Sequence, residues 1–151
     1  MKRIIPFILL MACGIAAQAQ VTFNKALADS LGADQYGMKM YQLVILKTGS
    51  NTTTDKEKVN ELFKGHMTNI GKLVKDGKLV VAGPLGKNDK QYRGIFILSV
   101  KTKEEAAALL ETDPAIKEKL LDAEIYPWYG SAALPKYLEY HSQVEQAKPG
   151  S

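Results

Sequence analysis

Residues 62–86, LFKGHMTNIGKLVKDGKLVVAGPLG, combine the end of a helix, a turn and an apolar strand, and they carry one of the two histidines of the chain. Around this stretch apolar residues recur at spacings of three and four, which predicts a helix with one buried face over about residues 55–76. The apolar positions of that face are Val59, Leu62, Phe63, Met67, Ile70, Leu73 and Val74. His66 falls on the same face, so its side chain is predicted to point toward a sheet. Gly65 is expected to leave room beside the imidazole.

The residues beside the helix complete a helix–turn–strand unit. Thr54 or Asp55 is suited to cap its N-terminus, and Gly77 to end it. The segment KLVVAGPLG that follows has few polar residues, which predicts a strand in the centre of its sheet.

Further strands are predicted at about residues 39–47, 91–100 and 123–130, with a second helix after Thr102 and a helical turn after Asp113-Pro114. Pro127 indicates an edge or a bulge in the last strand. The order βαββαβ is that of a ferredoxin-like α+β fold, a four-stranded antiparallel sheet with both helices on one face. The other face is too apolar for water, so we expect a homodimer to cover it.

The first 19 residues have the features of a secretory signal peptide. Lys2 and Arg3 precede an apolar run, and the small residues around Ala19 predict cleavage after that residue and a periplasmic or secreted protein. The alternative, a lipoprotein anchored through Cys13, is disfavoured because Met11 fits the lipoprotein pattern poorly. The apolar run is too short for a membrane span. Without its only cysteine, the mature chain forms no internal disulfide.

The rest of the chain divides into a lead-in segment (20–37), the main domain (38–130) and a C-terminal tail (131–151), whose first half is apolar enough to dock. Gly32 is expected to end a short helix in the lead-in. Removal of the leader lowers the Lys and Arg count from 20 to 18 against 16 Asp and Glu, so the net charge falls from +4 to +2. No basic cluster with interleaved aromatic residues is present in the sequence, which argues against a nucleic-acid partner.

The segments GHMTNIGKLVKDGKLVVAGPLG and ETDPAIKEKLLDAEIYPW resemble the YCII-related (YciI-like) domain family over about residues 38–130. The shared features are a helix histidine, a strand ending in AGP, an Asp-Pro after the second helix and a closing IYPW strand. The resemblance implies a dimeric α+β barrel of ferredoxin-like protomers with a small-molecule pocket. It also implies a His-Asp dyad, which maps to His66 and Asp113. Many relatives have Gly where this chain has Lys119, and a different pocket rim is therefore expected.

His66 and Asp113 each have two interpretations. The imidazole is either an acid–base group or a buried histidine that only packs. The carboxylate is either its partner or the cap of the helical turn that starts at Pro114, and the two roles are compatible. The resemblance implies a cofactor-independent isomerase, lyase or dehydrohalogenase, although most relatives are cytoplasmic. The alternative is a non-catalytic periplasmic binding module or a structural dimer.

Asp89, Tyr92 and Arg93 are secondary candidates for substrate binding, since they lie in or beside the predicted hairpin loop 87–90. Their alternative roles are a turn-forming residue for Asp89 and a surface strand end for Tyr92 and Arg93. His141 is expected to lie on the surface of the tail. Two distant histidines without a cysteine in the mature chain argue against a zinc site.

Overall fold

The computed structural model describes residues 22–147. The predicted signal peptide, including Cys13, and the last four residues of the tail lie outside this range. Ten elements follow one another in the described chain. They are α1 (Lys25–Leu31), β1 (Met38–Thr48), α2 (Lys56–Lys75), β2 (Leu79–Pro84), β3 (Tyr92–Leu98), α3 (Lys103–Leu110), α4 (Pro114–Lys117), β4 (Leu121–Ser131), a 3₁₀ helix (Leu134–Tyr137) and α5 (Leu138–Val144).

The helices begin and end where the capping residues predict. The Asp55 side chain accepts the N–H groups of Glu57 and Lys58 at the start of α2, and Thr102 accepts that of Glu105 in α3. Gly32 adopts a positive φ of 68° at the end of α1. These local contacts satisfy backbone groups that a helix end leaves unpaired.

The four strands form one antiparallel sheet in the order β2-β3-β1-β4. The order and the βαββαβ succession are those of the ferredoxin-like fold, which confirms the predicted α+β class. On the helical face of the sheet, α2, α3 and α4 bury a continuous core. Its members include Val44, Leu62, Leu73, Phe96, Leu98, Ala106, Leu110 and Ile116.

The expectation that the KLVVAGPLG strand is central is wrong, because β2 lies at the edge of the sheet. Its apolar character has another cause. Leu79 packs into the helical-face core, whereas Val80 belongs to a second cluster that Leu134 of the tail covers. The Tyr137 hydroxyl also donates a hydrogen bond to the Val80 carbonyl. An edge strand that is covered by a helix and by the tail needs the same apolar sequence as a central one.

The face opposite the helices is only partly covered. Tyr41 and Ile97 are buried there, and the partly buried Trp128 packs against them, with its ring centroid 5.6 Å from that of Tyr41. Farther along the same face, Tyr126 pairs with Leu43 across β4 and β1 and remains 47% exposed. An apolar surface of this kind is consistent with the expected homodimer, which stays a prediction.

Lys119 has a φ of +60° in the turn before β4. This left-handed conformation is the one that glycine adopts most readily, which explains why glycine suits the position. Lys119 is exposed and does not line the cavity described below. The expected change at the pocket rim is therefore wrong, and the substitution acts on the backbone of the turn.

Candidate functional site

The structure brings His66 and Asp113 together across α2 and the start of α4. Nδ1 of His66 lies 2.6 Å from Oδ2 of Asp113, a hydrogen bond at the short end of the usual range. His66 is 7% exposed and Asp113 is fully buried. The two residues are 47 positions apart in sequence, so only the packing of α4 against α2 creates the pair.

Asp113 serves as cap and as partner at the same time. Its Oδ1 accepts the backbone N–H of Ala115 at 3.0 Å, while Oδ2 meets the imidazole. Pro114 occupies the first position of α4, where its missing N–H is not needed. The carboxylate is thus held at both oxygens, and its direction is fixed before any ligand arrives.

Two aromatic rings fix the plane of the His66 imidazole. Phe96 of β3 stacks on it with centroids 5.8 Å apart and planes 20° apart, and Phe63 meets it edge-on at 6.2 Å. The sequence predicts that Phe63 is buried with the rest of the helix face, but this is wrong because 41% of it is exposed. The Phe63 ring borders an open cavity. Helix periodicity therefore predicts correctly which face of α2 carries Phe63, but not how much of the side chain other residues cover.

The hydrogen bond to Asp113 determines which ring nitrogen is available. A carboxylate only accepts, so Nδ1 carries the shared proton and neutral His66 has its lone pair on Nε2. Nε2 has no hydrogen-bond partner within residues 22–147. Among the side-chain nitrogen and oxygen atoms of these residues, only Gln42 Oε1 is both fully buried and without a partner, so Nε2 is not fully buried. Nε2 of His66 therefore keeps part of its surface exposed, although the residue as a whole is only 7% exposed.

His66 lines a cavity of about 790 Å³ between α2, β2, β3 and the C-terminal segment. Apolar side chains form most of its surface. They include Leu46, Phe63, Met67, Ile70, Val74, Val80, Phe96 and Leu121. The ionisable residues that line it are His66, Arg93, His141 and Glu145 in addition to Tyr137. A mostly apolar cavity with a few polar groups is typical of small-molecule sites.

The position of α4 depends on Gly65, though not for the expected reason. A Cβ atom at this residue would lie 2.4 Å from Cγ of Pro114. The prediction that Gly65 makes room for the imidazole is wrong, because the room is occupied by the proline ring. Close approach of α2 and α4 at this point is what lets Asp113 reach His66.

Of the three secondary candidates, only Arg93 reaches the cavity. Its side chain is exposed and makes no hydrogen bond or ion pair with any described residue. Asp89 and Tyr92 do not line the cavity. Asn88 instead organises the loop, since its Oδ1 accepts the N–H groups of Lys90 and Tyr92, both at 3.1 Å. Asp89 is exposed in this turn.

The C-terminal tail contributes to this cavity, which the sequence does not predict. His141 is exposed, as expected, but it lies at the cavity together with Tyr137 and Glu145. The three residues are four positions apart, and this helical spacing is the signal that would have placed them on one face. No pattern in the tail itself shows which part of the domain that face contacts.

Two other kinds of site are not found in the part of the chain that the structure describes. Residues 22–147 contain no group of three or more His, Cys, Asp or Glu side chains placed to hold a metal ion. Within the same range, no helix has the length and apolar character that crossing a membrane requires.

The chain was compared with curated proteins, solved structures and family models. No curated protein matches the chain. Among solved structures, it is similar to 5-chloro-2-hydroxyhydroquinone dehydrochlorinase from Burkholderia phenoliruptrix AC1100 in complex with 2,5-dihydroxybenzoquinone, at 21% identity and a TM-score of 0.41, over 58% of this chain and 92% of that chain. The sequence model of the YCII-related domain matches residues 40–129, which is more than half of the 151 residues. The chain therefore belongs to the YCII-related domain family.

Proposed function

We propose that this protein is an exported enzyme that rearranges or eliminates groups on a small molecule by proton transfer, without a cofactor. His66 is the general base and acid, and Asp113 is the positioning residue that orients it. The observation that carries the proposal is the hydrogen bond between Nδ1 of His66 and Asp113, which leaves Nε2 free beside a cavity of about 790 Å³. A structural histidine needs a partner, but it does not need a free nitrogen at a cavity.

The chemistry follows from the proton inventory of the pair. Nε2 takes a proton from an acidic C–H or O–H of the ligand, and the Asp113 carboxylate stabilises the imidazolium that forms. The same nitrogen then returns the proton to another atom of the ligand in an isomerisation. In an elimination, the electron pair left by the proton forms a double bond and expels the leaving group. Neither sequence requires a redox change.

The cavity favours a small ring-shaped ligand with an oxygen substituent. Its apolar walls suit an aromatic or alicyclic ring. The N–H groups of Arg93, which have no partner within residues 22–147, suit a carboxylate or phenolate oxygen. Glu145 lines the same cavity and limits the positive charge that Arg93 contributes. We therefore expect a ligand with no more than one negative charge.

Export and dimer formation belong to the same proposal. The predicted signal peptide supports a periplasmic or secreted protein that meets its ligand outside the cytoplasm. The partly covered sheet face with its half-exposed Tyr126 supports a homodimer.

A ligand screen followed by turnover assays tests this function. Residues 20–151 are screened against a metabolite library by thermal shift, and each hit is assayed for turnover. His66→Gln should lower the rate by about 10²–10⁴-fold, the usual contribution of general acid–base catalysis, while the melting curve stays cooperative. Lys75→Gln, on the exposed end of the same helix, should keep the wild-type rate.

Two results would count against an enzyme. Full activity of His66→Gln on a confirmed substrate would exclude the proposed acid–base role. Ligand-induced stabilisation without turnover for any hit would instead favour a binding module, in which His66 only hydrogen-bonds the ligand.

A further inference from the structure

The C-terminal segment, residues 134–145, forms one side of the cavity that holds His66. We infer that this segment determines which ligands the cavity accepts, and that His141 contacts the ligand directly. The inference rests on the proposed function, because it assigns a second binding group to the same cavity. The residues that carry it are Tyr137, Leu138, His141 and Glu145, which all line the cavity. Residues 134–145 are called the selectivity wall below.

The selectivity wall is attached to the domain at two points. Leu134 packs on the cluster of Tyr41, Val80 and Ile97 on the open face of the sheet, which is the face opposite the helices. The Tyr137 hydroxyl donates to the Val80 carbonyl on the edge strand β2. The chain thus crosses from the open face to the edge of the sheet, which brings α5 beside the cavity.

His141 is presented to the cavity by α5, one helical turn beyond Tyr137. The Tyr137 ring meets the imidazole edge-on at 6.5 Å, which restricts its orientation. Neither imidazole nitrogen has a hydrogen-bond partner within residues 22–147. A histidine with free nitrogens at a cavity can donate to, or accept from, a polar group of a ligand.

The selectivity wall is separate from the part of the chain that defines the family. The YCII-related match ends at residue 129, before the wall begins at residue 134. The His66–Asp113 pair lies within the matched part. The domain therefore supplies the acid–base pair, and the added segment supplies a second polar contact. We assign to this contact a hydroxyl, carbonyl or carboxylate oxygen on a small ring.

A pair of defined probes tests the assignment. 4-Hydroxybenzoate and its neutral counterpart 4-hydroxybenzamide are titrated into ¹⁵N-labelled protein, residues 20–151, and Kd is taken from amide shifts. Both probes should shift the amides around His66, Arg93 and His141. His141→Ala should raise Kd by about 3–10-fold, as expected for loss of one hydrogen bond. Because His141 is exposed, the melting temperature of this variant should equal that of the wild type.

Two variants separate a ligand contact from a general effect on the segment. Tyr137→Phe removes the anchoring hydroxyl and should raise Kd by a smaller factor. Ser142→Ala lies on the same helix, is exposed and does not line the cavity, so its Kd should equal that of the wild type.

The possible failures are distinguishable. If the probes shift the amides of His66 and Arg93 but His141→Ala binds them like the wild type, the role assigned to the selectivity wall is wrong and the proposed function stands. If neither probe shifts the amides around His66 at millimolar concentration, the proposed ligand class and the role assigned to the selectivity wall are both wrong.

Discussion

The two sides of the cavity differ in how firmly the fold holds them. On the inner side, α2 and α4 present His66 and Asp113, which are 7% and 0% exposed. On the outer side, the selectivity wall presents Tyr137, which is 42% exposed, and His141, which is also exposed. Acid–base chemistry needs fixed geometry, whereas a surface that accepts a ligand benefits from segments that can change conformation. We therefore propose that the inner side performs the chemistry and that the outer side selects the ligand.

The contacts behind this difference are of unequal kinds. Asp113 is held through both carboxylate oxygens, and the His66 ring lies between Phe96 and Phe63. The selectivity wall depends on the apolar contact of Leu134 and on one side-chain hydrogen bond to Val80. Mutations on the inner side should therefore cost more stability than mutations on the outer side.

The largest loss of stability is expected for Asp113→Ala. The change removes a helix cap, worth about 1 kcal/mol, and leaves the buried Nδ1–H of His66 unpaired, at about 1–3 kcal/mol. A total of about 2–4 kcal/mol should appear in urea unfolding. Asp55→Ala is the matched control, since this carboxylate caps α2 at an exposed site and bonds no side chain within residues 22–147. Equal losses for the two variants would mean that the buried pair contributes nothing beyond the cap.

The next effect tests the close approach of α2 and α4. Gly65→Ala places a methyl group against the Pro114 ring, so α4 must shift, and overpacking of this kind costs about 1–3 kcal/mol. Turnover should fall as well, because Asp113 moves with α4. Gly71→Ala in the same helix meets no atom within 4 Å and should stabilise the protein by about 0.5–1 kcal/mol. If both alanines stabilise, α4 does not depend on Gly65.

A smaller effect is expected on the outer side. Tyr137→Phe removes one hydrogen bond to a backbone carbonyl, which is worth about 1 kcal/mol. Amides of residues 134–145 should also exchange faster with deuterium, while those of α2 keep their protection. Tyr140→Phe serves as the control because Tyr140 is 64% exposed and does not line the cavity. Faster exchange in α2 would show that the two sides are not independent.

The smallest effect concerns a carboxylate outside both sides of the cavity. The Tyr129 hydroxyl donates to Asp34 and, with the Met38 N–H, holds the pKa of that carboxyl below its usual range. A lowered pKa adds stability above the unfolded value of about 3.9, and this stability is lost as pH falls through the folded value. Tyr129→Phe should therefore lower the free energy of unfolding slightly at pH 6 and less at pH 3. A difference that grows on acidification would contradict this sign.

The sequence predicted the inner side better than the outer side, and the reason is physical. The start of α2 at Asp55 and the turn at Asp113-Pro114 depend on neighbouring residues, and helix periodicity directed His66 toward the sheet. Contacts between distant segments leave no local pattern. The contact between Gly65 and Pro114 and the packing of the tail over Val80 arise only when the chain is folded. For this reason the sequence predicts neither the edge position of β2 nor the selectivity wall.

We propose that Asp113 fixes the proton of His66 on Nδ1 and leaves Nε2 available to a ligand. Long-range ¹H–¹⁵N NMR of the His66 imidazole measures this directly, because protonated and unprotonated ring nitrogens resonate at different shifts. Neutral His66 is expected to carry its proton on Nδ1, and Asp113→Asn is expected to alter this tautomer. A neutral imidazole with its proton on Nε2 in the wild-type protein would contradict it.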